Sequence, residues 1–155
     1  MWELKKKNSI EFEILHSFLW LSKLNIKTSK HFSQKIIDSW INHNFNFNPD
    51  TWKIDILGKR IIAWASNSHI ILQSFEEDYK KKIFLSITKQ SNHMIRNIKN
   101  VPYDSSRLIC CSAIILSGLI FKETVSNLKF GILELEKFCQ IYFNKAGFPK
   151  SRNPE

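Results

Sequence analysis

Apolar residues recur along this chain at spacings of three and four, the periodicity of helices that bury one stripe. From Ser9 to Leu24 the stripe runs through Phe12, Leu15 and Leu19, widened by Ile14, Phe18 and Leu21. A polar break, NIKTSKHF, follows, and Ser29 is placed to cap a second helix through Phe32, Ile36, Ile37, Trp40 and Ile41 that stops near Asn44. NHNFNFNPDTW reads as a loop, because Asn tolerates left-handed backbone and Pro49 drives Asn48 out of the helical region. Asp50 or Thr51 can cap the third helix, where Ile54, Leu57, Ile61 and Trp64 share a face. Gly58 falls inside that helix, which predicts a bulky neighbour packed close at a cost of about 1 kcal/mol against Ala.

SNS at 66–68 interrupts the pattern and HIILQS is a short helical turn. From Glu76 a longer helix fits Tyr79, Ile83, Ile87, Gln90, Met94 and Ile98, with Pro102 as the stop. Asp104 or Ser105 can cap SRLICCSAIILSGLIF, which is apolar nearly all round and is expected to be the buried central helix. The last helix shows a register at Val125, Leu128, Ile132, Leu135, Cys139 and Tyr142, ended by Asn144 and Gly147. No segment alternates as a strand does. The expectation is one all-α domain over residues 1–155, built of antiparallel helix pairs, with too little regularity in length for a strict solenoid.

Composition narrows this further. The formal charge is +9, from 23 Lys and Arg against 14 Asp and Glu, which suits a polyanionic partner. Most of that charge is Lys, in a chain crowded with Ile, Asn and Phe, so a codon bias accounts for it equally well. Cys110, Cys111 and Cys139 form no disulfide or metal framework and read as small core residues. No metal and no cofactor are expected, since a glycine-rich phosphate loop is absent and the histidines His16, His31, His43, His69 and His93 are scattered. The N-terminal apolar stretch is interrupted by Glu11, Glu13 and His16, so neither an export leader nor a membrane span is expected.

Two groupings could bind a ligand. Trp40, Trp52, Arg60 and Trp64 bring indole faces that stack on sugars together with a guanidinium that can fork onto a carboxylate. Trp40 and Trp64 lie on apolar stripes and fit the core, which leaves Trp52 and Arg60. The lysine runs at 5–7 and 80–82 could meet phosphates, but no aromatic residue is interleaved with them, so nucleic acid is not the expected partner.

Beyond periodicity, PDTWKIDILGKRIIAWASNSHIIL, SSRLICCSAIILSGLIF and LELEKFCQIYFNKAGFPKSRNPE follow one another in an order that resembles the heparinase II/III-like family, in its alphaproteobacterial branch. The markers are Pro49-Asp50, Leu57-Gly58, Arg60, Ile62-Ala63-Trp64, Arg107-Leu108, Gly118-Leu119 and Ser151-Arg152-Asn153-Pro154, so the resemblance spans nearly the whole chain. It implies antiparallel helix pairs curving into part of an incomplete α/α toroid, with a C-terminal β-sheet domain that this sequence does not contain. It also implies an acidic polysaccharide as partner, cleaved by β-elimination. That reaction needs a neutralised uronate carboxylate, a base for the C5 proton and an acid for the leaving oxygen. Where the family carries Asp-Gly-Gly-His, this chain has Ala146, Gly147, Phe148 and Pro149, and Ser151 stands in place of a Glu. The resemblance therefore makes Trp52, Arg60, Ser151, Arg152 and Asn153 substrate holders, assigns no catalytic residue, and implies that the chain is inactive alone. The competing expectation is a non-catalytic basic helical module that binds a polyanion.

Overall fold

The computed structural model describes Trp2 and residues 9–24, 26–73 and 76–150, with only the backbone described for 26–30. Among the described residues the protein is all-α, with no named strand. The helices are α1 (Ile10–Ser17), α2 (Ile26–Asn44), α3 (Ile54–Ser66), α4 (Ser68–Ile71), α5 (Glu77–Asn97), α6 (Ser105–Ile120) and α7 (Leu128–Tyr142), with 3₁₀ turns at Leu19–Lys23, Ile98–Asn100 and Lys122–Asn127.

The first expected helix breaks in two. Ser9 caps α1 by accepting from the Phe12 amide at 3.2 Å, but Phe18 turns left-handed with φ 58° and the chain continues as a 3₁₀ turn. That backbone is costly for a bulky residue. What offsets it is the destination of the ring, which is fully buried edge-on against Trp40 at 5.8 Å and Trp64 at 5.5 Å. The break also re-aims the stripe, so that Leu19 is exposed while His16 and Leu21 are buried.

Helix α2 begins at Ile26 and so passes through Ser29. Neither Asp50 nor Thr51 caps α3; the Asn48 side chain instead accepts from both their amides, at 2.9 Å and 3.5 Å, and closes the loop on itself. The Asp104 cap does form, from the Ser106 amide at 2.8 Å. Contrary to its all-round apolar sequence, α6 leaves Leu108, Leu119 and Ile120 exposed.

Pairwise contacts define the layout. Gln34 meets the Ile70 carbonyl, Trp40 meets Trp64, and Asn44 meets Trp52, so α2 and α3 fold back on each other. Ser91 meets Ser117 while Arg107 reaches the carbonyls of Lys99 and Val101, so α5 and α6 do the same. Asp38 pairs with Lys82, Phe45 with Lys89 and Phe47 with His93, so α2 and α5 run parallel. Two antiparallel hairpins therefore stand side by side, with Gly58 of α3 against Ile109 of α6. A Cβ on Gly58 would lie 2.8 Å from the Ile109 side chain, which is the close neighbour its position predicts.

Helix α7 packs antiparallel on α6, with Leu128 at Gly118, Gly131 at Ile114 and Ile115, and Glu134 at Arg107. Its expected register is corrected. Gly131, Glu134 and Phe138 face inward, while Val125, Ile132 and Cys139 are exposed. The cause is local: Lys122–Asn127 is 3₁₀, so Val125 is out of phase with the α-helix, and Gly131 lets the backbone of α7 approach α6 closely.

Candidate functional site

The parallel arrangement of α2, α5 and α7 brings three connections to one end: the Asn-rich loop after α2, the turn from α5 into α6, and the turn after α7. A buried apolar cluster that includes Trp52, Leu57, Met94, Ile98, Val101 and Cys110 underlies this end.

The Asn-rich loop is held from below. The Trp52 indole donates to the Asn44 carbonyl at 3.2 Å, and the Trp52 amide to the Asn48 carbonyl at 2.9 Å. Arg60 donates through Nη1 to the carbonyls of Thr51 at 3.0 Å and His16 at 2.9 Å, and through Nε to Gln90 at 2.7 Å. Its guanidinium lies 4.2 Å from the Trp40 ring centre. Burial lowers the Arg60 pKa to about 9, which leaves it charged at neutral pH with no carboxylate among these partners.

This placement revises two expected site residues. Arg60 is 0% exposed and Trp52 5%, so neither presents its polar group to a ligand. They are the supports of the loop. Ser151, Arg152 and Asn153 lie outside the described residues. Trp40 and Trp64 are core residues, as their stripes predict.

What the supported loop presents is Phe47. Its ring is 62% exposed, yet lies 5.2 Å from His93 and 6.0 Å from Trp52. Trp52 meets the same imidazole edge-on at 5.4 Å. One turn earlier on α5, Lys89 sits 3.5 Å over Phe45. Burial first and Arg96 second hold the His93 pKa below its usual value, so the ring is neutral at neutral pH. An exposed aromatic face, a neutral imidazole and flanking cations can stack on a pyranose ring and meet its carboxylate.

The adjoining connections are equally fixed. Arg107 donates to Val101 at 2.7 Å, pairs with Glu134 at 3.3 Å and lies 3.9 Å from the Tyr103 ring centre. After α7, Asn144 accepts from the amides of Ala146 at 2.9 Å and Phe148 at 3.0 Å, with Gly147 at φ 81°. FNKAGFP, residues 143–149, is thus a closed turn, pinned by a bridge between Phe143 and Pro149.

Sequence reasoning missed Phe47 and His93. The signal was present: two Phe residues alternating with Asn in an otherwise polar loop have no helix stripe to join. Of the lysine run at 80–82, each member has a carboxylate partner: Glu77, Asp78 and Asp38 in turn. Among the described residues no group of acidic, His and Cys side chains is arranged to hold a metal ion, and no helix is long and apolar enough to cross a membrane. No protein-family model, no curated protein and no solved structure matches this chain.

Proposed function

We propose that this chain is the helical portion of a heparinase II/III-like polysaccharide lyase, inactive alone, whose connection-bearing end takes up an acidic, uronate-containing polysaccharide. The observation that carries the reading is the convergence of the three connections at one end, where Phe47 stands exposed on His93 and Trp52. Two side-by-side antiparallel hairpins are also the unit from which an incomplete α/α toroid is built. In the sequence, the Ser-Arg-Asn-Pro stretch on which the resemblance rests comes directly after the turn that follows α7. Phe47 would stack on a sugar ring, Lys89 and Arg96 would attract its carboxylate, and neutral His93 would accept a hydrogen bond from one of its hydroxyls.

The alternative, a basic module without chemistry, has the +9 charge in its favour. Against it stand the carboxylates that already neutralise Lys80, Lys81 and Lys82. Titration of the isotopically labelled chain with an oligogalacturonate decides between them. Expected are amide shifts at 46–48 and 93, lost in Phe47→Ala, with no ultraviolet-absorbing unsaturated product. Shifts with single-stranded DNA but not with the oligosaccharide would overturn the glycan reading. Product formed by this chain alone would overturn its dependence on another domain.

A further inference from the structure

Helix α7 carries two adjoining faces. Gly131, Glu134 and Phe138 are turned in against α6. Beside them, Leu128, Ile132, Leu135, Cys139 and Tyr142 alternate steps of four and three, the spacing of a coiled-coil seam. Ile132 and Cys139 are exposed and the other three are only half-buried, so much of this seam is uncovered. Helix α6 extends the same surface. Leu108, Ile115 and Leu119 fall on one stripe of it, Ile115 lies at Gly131, and Leu108 and Leu119 are exposed. Phe130, on the opposite flank of α7, packs on the buried cluster that includes Leu57, Met94 and Cys110. The open stripe of α6 and the seam of α7 therefore share the side turned away from that cluster.

The charges beside this seam specify its occupant. Lys129 and Glu136 each follow one residue after a seam leucine, Leu128 and Leu135, on the flank away from α6. Both are exposed, and neither has a partner among the described residues. They stand two turns apart, about 10 Å along the axis, too far to pair within one helix. A second α7 laid antiparallel sets Ile132 against Leu135 of the other copy and Leu128 against its Cys139. Lys129 of each copy then comes beside Glu136 of the other. Two opposite-charge pairs form by one two-fold operation, as a self-complementary interface requires. A parallel pairing matches no charges: Glu136 would face Gly131 of the second copy and Lys129 its Thr124, both buried within their own subunit.

We propose that the α6–α7 face is a homodimer interface, in which α7 lies antiparallel on α7 of a second copy of this chain and Leu108 and Leu119 of α6 flank the joint. It stands whether or not the Phe47 end takes up a glycan.

The test is sedimentation equilibrium of the whole chain, from low to high micromolar concentration at low ionic strength. A reversible equilibrium between monomer and dimer is expected. Lys129→Glu places two like-charged pairs in the joint and should weaken dimerisation about tenfold, as should Glu136→Lys. Combining the two substitutions restores both pairs in swapped order and should return the affinity to within about threefold of the parent. Neither side chain has a partner in the monomer, so all three variants should melt with the parent at concentrations where it is monomeric. Ile132→Asp buries a charge in the seam and should weaken the dimer by more than about a hundredfold. A chain that stays monomeric throughout overturns the proposal. So does a dimer indifferent to both charge reversals, or one that the double variant fails to restore.

Discussion

Arg60 in α3 and Arg107 in α6 hold matching places in the two hairpins. Each is buried in the returning helix, and each donates to carbonyls of the connection that precedes it, Thr51 for Arg60 and Val101 for Arg107. They differ in what balances the charge. Arg107 has Glu134 at 3.3 Å, and Glu134 also takes Lys137 at 2.6 Å. Arg60 has only neutral acceptors and the face of Trp40. A fixed loop thus needs its carbonyls satisfied, and a carboxylate is one way among others to make the buried guanidinium tolerable.

Removing each arginine tests that comparison most severely. Arg60→Ala leaves three acceptors unpaired in the interior together with a cavity, and should cost about 3–5 kcal/mol in urea denaturation. Arg107→Ala should cost less, about 2–3 kcal/mol, because Glu134 keeps Lys137. If the order is reversed, the carboxylate pair, and not the interior hydrogen bonding, dominates the stability of these connections.

A second difference lies beside Arg60. His16 accepts at Nδ1 from the Trp40 indole at 2.9 Å, and since an indole only donates, the neutral ring must carry its proton on Nε2. Burial, with Arg60 adding repulsion, lowers its pKa from 6.5 to about 4. The unfolded chain therefore takes up a proton near pH 6.5 that the folded protein refuses until about pH 4. Stability is full above that window and falls as the pH drops through it, by up to about 3 kcal/mol. Chemical denaturation from pH 7 to 4 should show this loss, and His16→Gln should flatten it. A slope that survives in the variant would place the proton uptake elsewhere.

The helices themselves were legible because each buries a stripe, and a stripe survives in sequence. What was not legible was decided by contacts between elements. Phe18 could have continued α1 by pattern alone, and its left-handed turn follows from the aromatic cluster of Trp40 and Trp64, distant in the chain. The exposure of Ile132 follows from the approach of Gly131 to α6. Arg60 looked like a ligand for an anion because a charged residue next to tryptophans suggests a surface; its partners are backbone carbonyls, which a sequence pattern does not display. Phe47 was overlooked for the converse reason, since apolar residues are searched for on helices.

Glycines give the finest comparison between the interfaces. Adding a Cβ at Gly131 meets Ile114 and Ile115 side chains at 2.9 Å and the Ile115 backbone nitrogen at 3.2 Å. Two side chains and a helix backbone cannot all retreat, so Gly131→Ala should destabilise by about 1–3 kcal/mol despite its gain in helix propensity. At Gly58 the added carbon meets only Ile109 Cγ2 at close range, 2.8 Å, with the Ile109 backbone at 3.7 Å. Ile109 is half-buried and can turn that methyl aside. The rotamer cost is then similar to the roughly 1 kcal/mol that Ala gains over Gly in a helix, and Gly58→Ala should fall within about 0.5 kcal/mol of the parent. A loss as large as that at Gly131 would mean that the two hairpins are locked together as rigidly as α7 is to α6.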